Sequence, residues 1–213
     1  MCYERIIVYN LQKKGGKMDF NTSVTKENLA RAFAGLCQDH ARYVFIAKSA
    51  LREGYGYVSD LLNRIASNKI AHASSLYSIM LEKIKKSKDN VNIEAGYPFE
   101  NHLLKTSLLD SAEIEYHQAK NVYPHFSKLA SDEGFEDIAQ HFLLIAEVST
   151  KNAQLLHQLA DKFENKSLYS SKEKVNWVCS NCGHTDFSKQ AWDVCPLCGY
   201  PKGYVIPPLD DLK

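Results

Sequence analysis

Apolar residues recur at spacings of three and four positions along most of the chain, which is the pattern of amphipathic helices. This pattern predicts four long helices, over residues 25–53, 57–84, 104–131 and 135–163. Thr25 is the expected N-cap of the first helix, because a threonine hydroxyl can accept a hydrogen bond from the helix start. Gly54 and Gly134 fall where helices are expected to end, and Pro124 predicts a kink inside the third helix.

The stretches outside the helices predict the organisation of the chain. Residues 88–104, which contain Gly96 and Pro98, form a long connection between the second and third helices. Four helices with one long crossover fit a ferritin-like bundle, although periodicity alone also allows other four-helix folds. We expect an N-terminal extension at 1–24, a helical domain at 25–165, a Ser- and Lys-rich linker at 166–175 and a small domain at 176–213. The first 17 residues fit either an upstream extension or a short strand packed on the helices.

Four cysteines near the end of the chain have the spacing of a metal site. Cys179, Cys182, Cys195 and Cys198 form C-x2-C-x12-C-x2-C, and each pair is followed by a glycine. Two residues between thiolates allow one tight turn to direct both sulfurs at one ion, and two such turns complete a tetrahedron. Two redox-active pairs are much the weaker interpretation. By itself, a four-thiolate site suits iron and zinc equally.

Composition narrows the partners and the compartment. The 213 residues include 26 Lys and Arg against 25 Asp and Glu, so bulk charge gives no reason to expect nucleic acid or an anionic membrane as partner. No apolar run approaches the roughly 20 residues that span a bilayer, and no secretory signal is visible. We therefore expect a cytoplasmic protein that binds neither membrane nor nucleic acid.

Several short motifs resemble those of rubrerythrins. The segments Trp177-Val-Cys-Ser-Asn-Cys-Gly-His and Val194-Cys-Pro-Leu-Cys-Gly-Tyr-Pro-Lys resemble the C-terminal rubredoxin-like domain of that family. Ala32-Phe-Ala-Gly35, Arg42-Tyr43, Arg52-Glu-Gly-Tyr55, Tyr123-Pro and Asp132-Glu-Gly-Phe135 resemble its ferritin-like domain, and together the motifs cover roughly residues 25–208. The resemblance implies one iron in the four-cysteine site that passes single electrons.

The chain departs from the family at the di-iron ligands. The resemblance places carboxylate and histidine ligands at seven positions, which here are Leu36, Lys69, His72, Glu115, Gln118, Ser149 and Asn152. None of the eight histidines has Glu or Asp three residues before it, so the chain contains no Glu-x-x-His motif. The five former carboxylate positions, Leu36, Lys69, Glu115, Gln118 and Ser149, now sum to zero charge. We predict that the di-iron centre is absent and that Lys69 pairs with Glu115, with Gln118, Ser149, Asn152 and His72 hydrogen-bonding around them.

The remaining polar residues near these positions have plain structural interpretations. His72 is more often a hydrogen-bonded core histidine than a ligand, and Asp39 and Glu113 are expected on solvated faces. One weakly bound metal at Glu115 and His72, helped by Asp39, His40 or Glu113, stays open as an alternative. Tyr43 and Tyr123 are expected in the aromatic core with bonded hydroxyls, and Cys37 is expected to pack as a small apolar residue. Cys2 has no evident role.

Three functions follow from this pattern. Rubrerythrins are NADH-linked, peroxide-reducing oxidoreductases of oxidative stress, and they are homodimers. The resemblance therefore implies a homodimer and a redox partner protein. Because the ligands are replaced, whether this chain is an enzyme is uncertain, and the leading hypothesis is an iron tetrathiolate electron-transfer module without efficient peroxidase activity. The alternatives are a peroxidase with a rearranged site and a non-redox protein with zinc at the four cysteines.

Overall fold

The computed structural model describes residues 18–84, 90–99 and 103–209, and most of them are helical. Five α-helices follow one another: α1 (Val24–Arg52), α2 (Gly56–Lys83), α3 (Leu104–His117), α4 (Tyr123–Asp132) and α5 (Glu136–Glu164). A π-helical turn, Gln118–Val122, joins α3 to α4 without a break. Three short strands follow: β1 (Ser170–Cys179), β2 (Thr185–Gln190) and β3 (Val205–Ile206). The four predicted helices are confirmed to within one residue at most of their ends.

Two glycines end helices as the sequence predicts. Gly54 and Gly134 have φ values of 87° and 84°, which only glycine adopts without strain. The following residues, Tyr55 and Phe135, each donate a backbone hydrogen bond of 2.8 Å to a carbonyl five residues back. These bonds close the last turn of α1 and of α4, and the next helix can then begin.

The start of α1 corrects the N-cap prediction. Ser23, rather than Thr25, is the N-cap, because its Oγ accepts a hydrogen bond of 3.1 Å from the Lys26 backbone N–H. The carboxylate of Glu133 accepts the backbone N–H groups of Val24 at 2.9 Å and of Thr25 at 2.8 Å. It also accepts the Thr25 hydroxyl. Thr25 is therefore inside the helix and fully buried.

The irregularity expected at Pro124 begins one turn earlier. The Tyr123 backbone N–H bonds the Gln118 carbonyl, five residues back, instead of the carbonyl four residues back. Pro124 has no N–H to donate, so the backbone before it must satisfy its carbonyls differently. Turns of this kind occur mostly as single insertions inside helices, frequently at functional sites.

The chain divides into two compact units, and the first draws its described residues from 18–41, 67–99 and 116–150. Its core is one apolar cluster that includes Leu36, Leu76 and Phe142, all fully buried. Residues 90–99 lie along α1 in this unit. The Tyr97 hydroxyl donates to the Arg31 carbonyl at 3.4 Å, and Arg31 Nε donates to the Glu94 carbonyl at 3.2 Å.

The second unit contains residues 42–66, 103–115 and 151–209. One of its apolar clusters joins α1, α2, α3 and α5, and another surrounds the fully buried Trp177 together with Ala191 and Val205. The three strands form an antiparallel sheet in the order β2-β1-β3. The sheet begins inside the predicted linker, because its Ser- and Lys-rich residues from Ser170 onward pair as a largely exposed strand.

The second unit also contains a close backbone contact between the C-terminal residues and the turn after α1. A methyl group on Gly203 would overlap the carbonyl oxygen of Gly54. A methyl group on Gly56 would meet the Tyr204 ring at 2.6 Å. Glycine at positions 203 and 56 therefore allows Tyr204 and its neighbours to pack directly on this turn.

Candidate metal centre

The four cysteines converge on one point. Their sulfur atoms all lie within 4.8 Å of one another, and two pairs, Cys179 with Cys198 and Cys182 with Cys195, are 3.7 Å apart. A tetrahedral ion with metal–sulfur bonds of about 2.3 Å requires sulfurs about 3.8 Å apart. The four thiols therefore fit a tetrathiolate metal ion.

Two matching backbone turns position these sulfurs. In the first turn the Cys179 N–H donates to the His184 carbonyl at 2.8 Å, and Gly183 N–H donates to the Cys179 carbonyl at 2.8 Å. In the second turn Cys195 N–H donates to the Tyr200 carbonyl at 2.8 Å, and Gly199 N–H to the Cys195 carbonyl at 2.9 Å. Both glycines have a φ of 74°. The repeated C-x2-C-G sequence thus folds twice into the same turn.

The Cys182 and Cys198 thiols differ in pKa because the groups around them differ. Backbone hydrogen bonding at His184 favours the Cys182 thiolate, but burial and the three neighbouring thiols outweigh it and raise the pKa of Cys182 to about 12. Backbone hydrogen bonding at Tyr200, together with the Asn181 side chain, lowers the pKa of Cys198 to about 6. A bound cation would offset the mutual repulsion of four thiolates, so metal binding and loss of the thiol protons are linked.

The site has a buried side and an accessible side. Cys179 and Cys195 are buried, as is Trp177, whose indole N–H donates to the Ser188 carbonyl at 3.1 Å. Cys182 and Cys198 are only partly buried. The exposed large apolar side chains of this part of the chain are Phe187, Val194, Leu197 and Tyr200. A metal held here would be anchored from the core side and reachable from solvent at two of its four sulfurs.

A buried cluster of polar side chains lies in the first unit, at the positions compared above with di-iron ligands. Lys69 on α2 is 1% exposed, and its ammonium lies 3.2 Å from Gln118 Oε1 and 3.5 Å from Asp39 Oδ2. Gln118 Nε2 donates to the same Asp39 oxygen at 2.8 Å. In this cluster a lysine ammonium is the cation.

The second unit has its own buried polar cluster. Glu115 on α3 is fully buried, and its Oε1 accepts the Tyr43 hydroxyl at 2.8 Å. Asn152 on α5 donates its amide N–H to the same oxygen at 3.4 Å. The structure therefore confirms that Tyr43 is a buried aromatic residue with a bonded hydroxyl.

Comparison with known proteins identifies both parts of the chain. Residues 27–159 match the Rubrerythrin family model, and residues 177–204 match the model of the rubrerythrin rubredoxin-like domain. The chain belongs to the rubrerythrin family. It is 34% identical to a rubrerythrin of Clostridium perfringens over 84% of this chain and 92% of that protein. It is also 26% identical to nigerythrin of Nitratidesulfovibrio vulgaris over 86% and 87% of the two chains.

The solved structure of nigerythrin in its mixed-valence state shares the fold of this rubrerythrin-family chain. The TM-score is 0.57 at 22% identity, with 98% of this chain and 100% of nigerythrin covered. The mainly α, ferritin-like fold with a small four-cysteine domain is confirmed by this likeness and by the sulfur geometry. Among the residues that the structure describes, these cysteines form the one group of three or more His, Cys, Asp or Glu placed to hold a metal ion.

Three further positions compared with di-iron ligands, Leu36, Ser149 and His72, lie outside the two polar clusters described above. Leu36 is fully buried in the apolar cluster of the first unit, and Ser149 is 1% exposed. His72 is half-buried, and its Nδ1 has no hydrogen-bond partner among the described residues. Burial, followed by the charges of Lys69 and His141, lowers the pKa of His72. The pairing of Lys69 with Glu115 stays a prediction.

Asp39 is the residue that sequence analysis missed. The prediction of a solvated face is wrong for it, because its side chain is 3% exposed beside Lys69, whereas Glu113 is exposed as predicted. A signal was available: Leu36, Asp39 and Tyr43 follow one another at spacings of three and four, so they share one helix face. Cys37 packs against apolar neighbours and burial raises its pKa, as expected of an unreactive thiol.

Proposed function

We propose that this chain carries single electrons at an iron ion held by Cys179, Cys182, Cys195 and Cys198, and that its helices do not perform di-iron peroxide chemistry. The observation that carries the first half is the sulfur geometry, with two pairs at 3.7 Å and all four atoms within 4.8 Å. Iron is favoured over zinc because a structural relative, nigerythrin, has been solved in an all-ferrous, fully reduced state.

When bound, iron in a tetrathiolate site supplies one-electron chemistry between its ferric and ferrous states. The residues around the site influence this electron transfer through their hydrogen bonds and through the exposure of the cysteines. The backbone hydrogen bonds at Cys182 and Cys198 stabilise negative charge on sulfur, which increases on reduction. Cys179 and Cys195 are buried, which keeps water from that side of the site. The partly exposed Cys182 and Cys198 leave a route for an electron from a partner.

The proposal about the helices rests on the charge at position 69. The Lys69 ammonium is buried within 3.5 Å of Asp39, where it would repel a divalent cation. Leu36, Gln118, Ser149 and Asn152 provide neutral side chains at the other compared positions. Glu115 keeps a carboxylate, but Tyr43 and Asn152 already donate to one of its oxygens. A di-iron centre needs several carboxylates, and here they are largely replaced.

Two measurements on one iron-reconstituted sample test this function. We expect the ferric protein to be red, to lose its colour when reduced by one electron per chain, and to regain it on reoxidation. The matched control is Cys198→Ser, which should not form this chromophore. Zinc retained in a colourless protein that resists exchange for iron would instead support a structural role.

Peroxide turnover tests the second half of the proposal. With excess reductant we expect no sustained consumption of hydrogen peroxide above that of the Cys198→Ser variant. Sustained turnover that Glu115→Gln or His72→Gln abolishes would contradict the proposal and favour a peroxidase with a rearranged site. Turnover that neither substitution changes would place the reaction at the cysteine site.

We also propose a cytoplasmic homodimer that receives electrons from a redox partner protein. The support is membership of the rubrerythrin family. In the part of the chain that the structure describes, no helix has the length and apolarity needed to cross a bilayer. Light scattering of the iron-loaded protein should give twice the chain mass, and a monomer at micromolar concentration would contradict the dimer.

A further inference from the structure

A cleft of about 300 Å³ opens in the second unit beside the end of α5. This volume is at the lower end of the range of small-molecule sites, about 300–1,000 Å³. It lies outside the four-cysteine site, although Ser170 in its wall begins the strand β1 that ends at Cys179. The residues that line it are Tyr55, Lys162, Phe163, Lys166, Leu168, Tyr169, Ser170, Gln190 and Lys202.

The charged residues that line this cleft are all positive. Three of the nine lining residues are lysines, and none is Asp or Glu. The Lys202 ammonium contacts the carboxylate of Asp193, but Asp193 does not line the cleft and its side chain is 89% exposed. The same ammonium lies 6.0 Å from the centre of the Tyr169 ring. The lining is therefore suited to an anion.

Part of the lining is aromatic. The Tyr55 and Phe163 rings meet edge to face with centroids 4.8 Å apart, and Leu168 beside them is buried. Burial raises the pKa of Tyr169 to about 12, so its hydroxyl remains a hydrogen-bond donor at neutral pH. The lining thus includes aromatic rings together with lysine, tyrosine and glutamine residues.

Backbone hydrogen bonds close the end of α5. The last carbonyls of the helix already accept backbone donors: Asp161 from Asn165 at 2.9 Å, Lys162 from Ser167 at 2.9 Å and Phe163 from Lys166 at 3.3 Å. Lys166 itself has a φ of 52°, a left-handed conformation in which glycine or asparagine is less strained. Lys166 lines the cleft at this position.

We propose that this cleft binds a phosphorylated compound with one flat ring, of the size of a nucleoside monophosphate. The lysine ammonium groups would hold the phosphate, and Tyr55, Phe163 and Tyr169 would contact the ring. This site is independent of the metal chemistry proposed above, since neither the four cysteines nor the buried cluster at Lys69 takes part.

Calorimetric titration of the iron-loaded full chain with AMP, adenosine and inorganic phosphate tests the proposal. We expect AMP to bind with a Kd below about 1 mM, and adenosine and inorganic phosphate each to bind about tenfold more weakly. Lys166→Asn removes the ammonium while suiting the left-handed backbone, so the variant should fold and should weaken AMP binding about fivefold. Raising the salt concentration should weaken AMP binding in the native chain more than in the variant.

Lys128→Gln is the matched control, because Lys128 is an exposed lysine outside the cleft. It should leave the AMP affinity unchanged, and the visible spectrum of the metal site should be the same in all three proteins. The proposal is overturned if AMP does not bind at several millimolar, or if Lys128→Gln weakens binding as much as Lys166→Asn. Equal affinities for adenosine and AMP, or for phosphate and AMP, would also overturn it.

Discussion

Among the side chains on the helices of this chain, Lys69 differs most clearly from a metal ligand. Lysine is almost never fully buried unless it is paired, and here its ammonium lies beside Asp39 and Gln118. The ammonium is a buried positive charge in the helical part of the chain. A buried ion pair of this kind need not add net stability, but removing only one partner is costly.

Lys69→Met is therefore expected to lower the free energy of unfolding by about 3 kcal/mol, because the Asp39 carboxylate stays buried without this ammonium. Chemical denaturation measures the change. The double variant Lys69→Met, Asp39→Leu should recover part of the loss.

Lys83→Met is the control for this experiment, since in the Lys83–Asp137 pair at 2.9 Å the Asp137 side chain is 60% exposed. It should cost less than about 1 kcal/mol. Equal losses for Lys69→Met and Lys83→Met would contradict the structural role assigned to Lys69.

The lowered pKa values of His72 and His141 predict how the stability of the fold depends on pH. Burial lowers the pKa of His72, with further lowering by the charges of Lys69 and His141, and burial lowers the pKa of His141. The unfolded chain therefore takes up these protons at higher pH than the folded chain does. Their neutral forms stabilise the fold above pH 6.5, the ordinary histidine value, and this contribution is lost as the pH falls below it.

Thermal unfolding between about pH 8 and pH 5 measures this loss. His141→Gln removes one titrating group but can still hydrogen-bond to Ser75, whose Oγ lies 2.8 Å from His141 Nε2. We expect the melting temperature of the variant to fall less steeply on acidification. A variant that falls as steeply as the native chain would contradict the assignment.

For single residues, the sequence predicted the metal-binding cysteines better than it predicted which polar side chains are buried. The four cysteines were predicted from spacing, because a tetrahedral site requires those residue types at those intervals. Asp39 was expected on a solvated face, although its spacing from Leu36 and Tyr43 places it on the same helix face as these two residues. Its buried partners, Lys69 and Gln118, are distant in sequence, so the local pattern indicates the face but not the partners.

Among the elements, α1 shows how a helix end depends on a distant residue. Glu133, at the turn after α4, is 2% exposed and accepts two backbone N–H groups from the first turn of α1. Thr25 was expected as the cap because of its own hydroxyl, but that hydroxyl and its backbone N–H are bonded to Glu133, more than a hundred positions away. The helix bounds were predictable from periodicity and glycines, whereas this capping contact was not.

Glu133→Ala should lower the free energy of unfolding by about 2 kcal/mol, because two helix N–H groups and the Thr25 hydroxyl lose a charged acceptor in a buried place. Urea denaturation measures it. Asp132→Ala is the neighbouring control, since Asp132 forms only an exposed pair with Lys128, and its cost should stay below about 1 kcal/mol. The capping role is refuted if the two variants unfold alike.

The first half of strand β1 is a second feature of the elements that could not be predicted from the sequence. Its first half is polar on both faces, so composition predicts a linker. Pairing of Ser170 with Gln190 and of Val175 with Ser188 makes it a strand, with an irregular register between the two pairs. Pairing with a partner strand is a tertiary property, and the alternation that normally reveals a strand is absent here.

For the whole molecule, family membership does not by itself show which chemistry is retained. The matches to both rubrerythrin models cover residues 27–159 and 177–204, yet the sequence contains no Glu-x-x-His motif. The fold was predictable because helix periodicity, the long crossover and the cysteine spacing agree. A shared fold does not establish the activity, since activity depends on particular side chains.

The iron content of the purified, iron-reconstituted chain is the most direct test of the central claim. We predict one iron per chain, all of it lost in a variant in which Cys182 and Cys198 are both replaced by serine. Three irons per chain, with two of them retained in that double variant, would show a di-iron centre among the helices and would contradict the account.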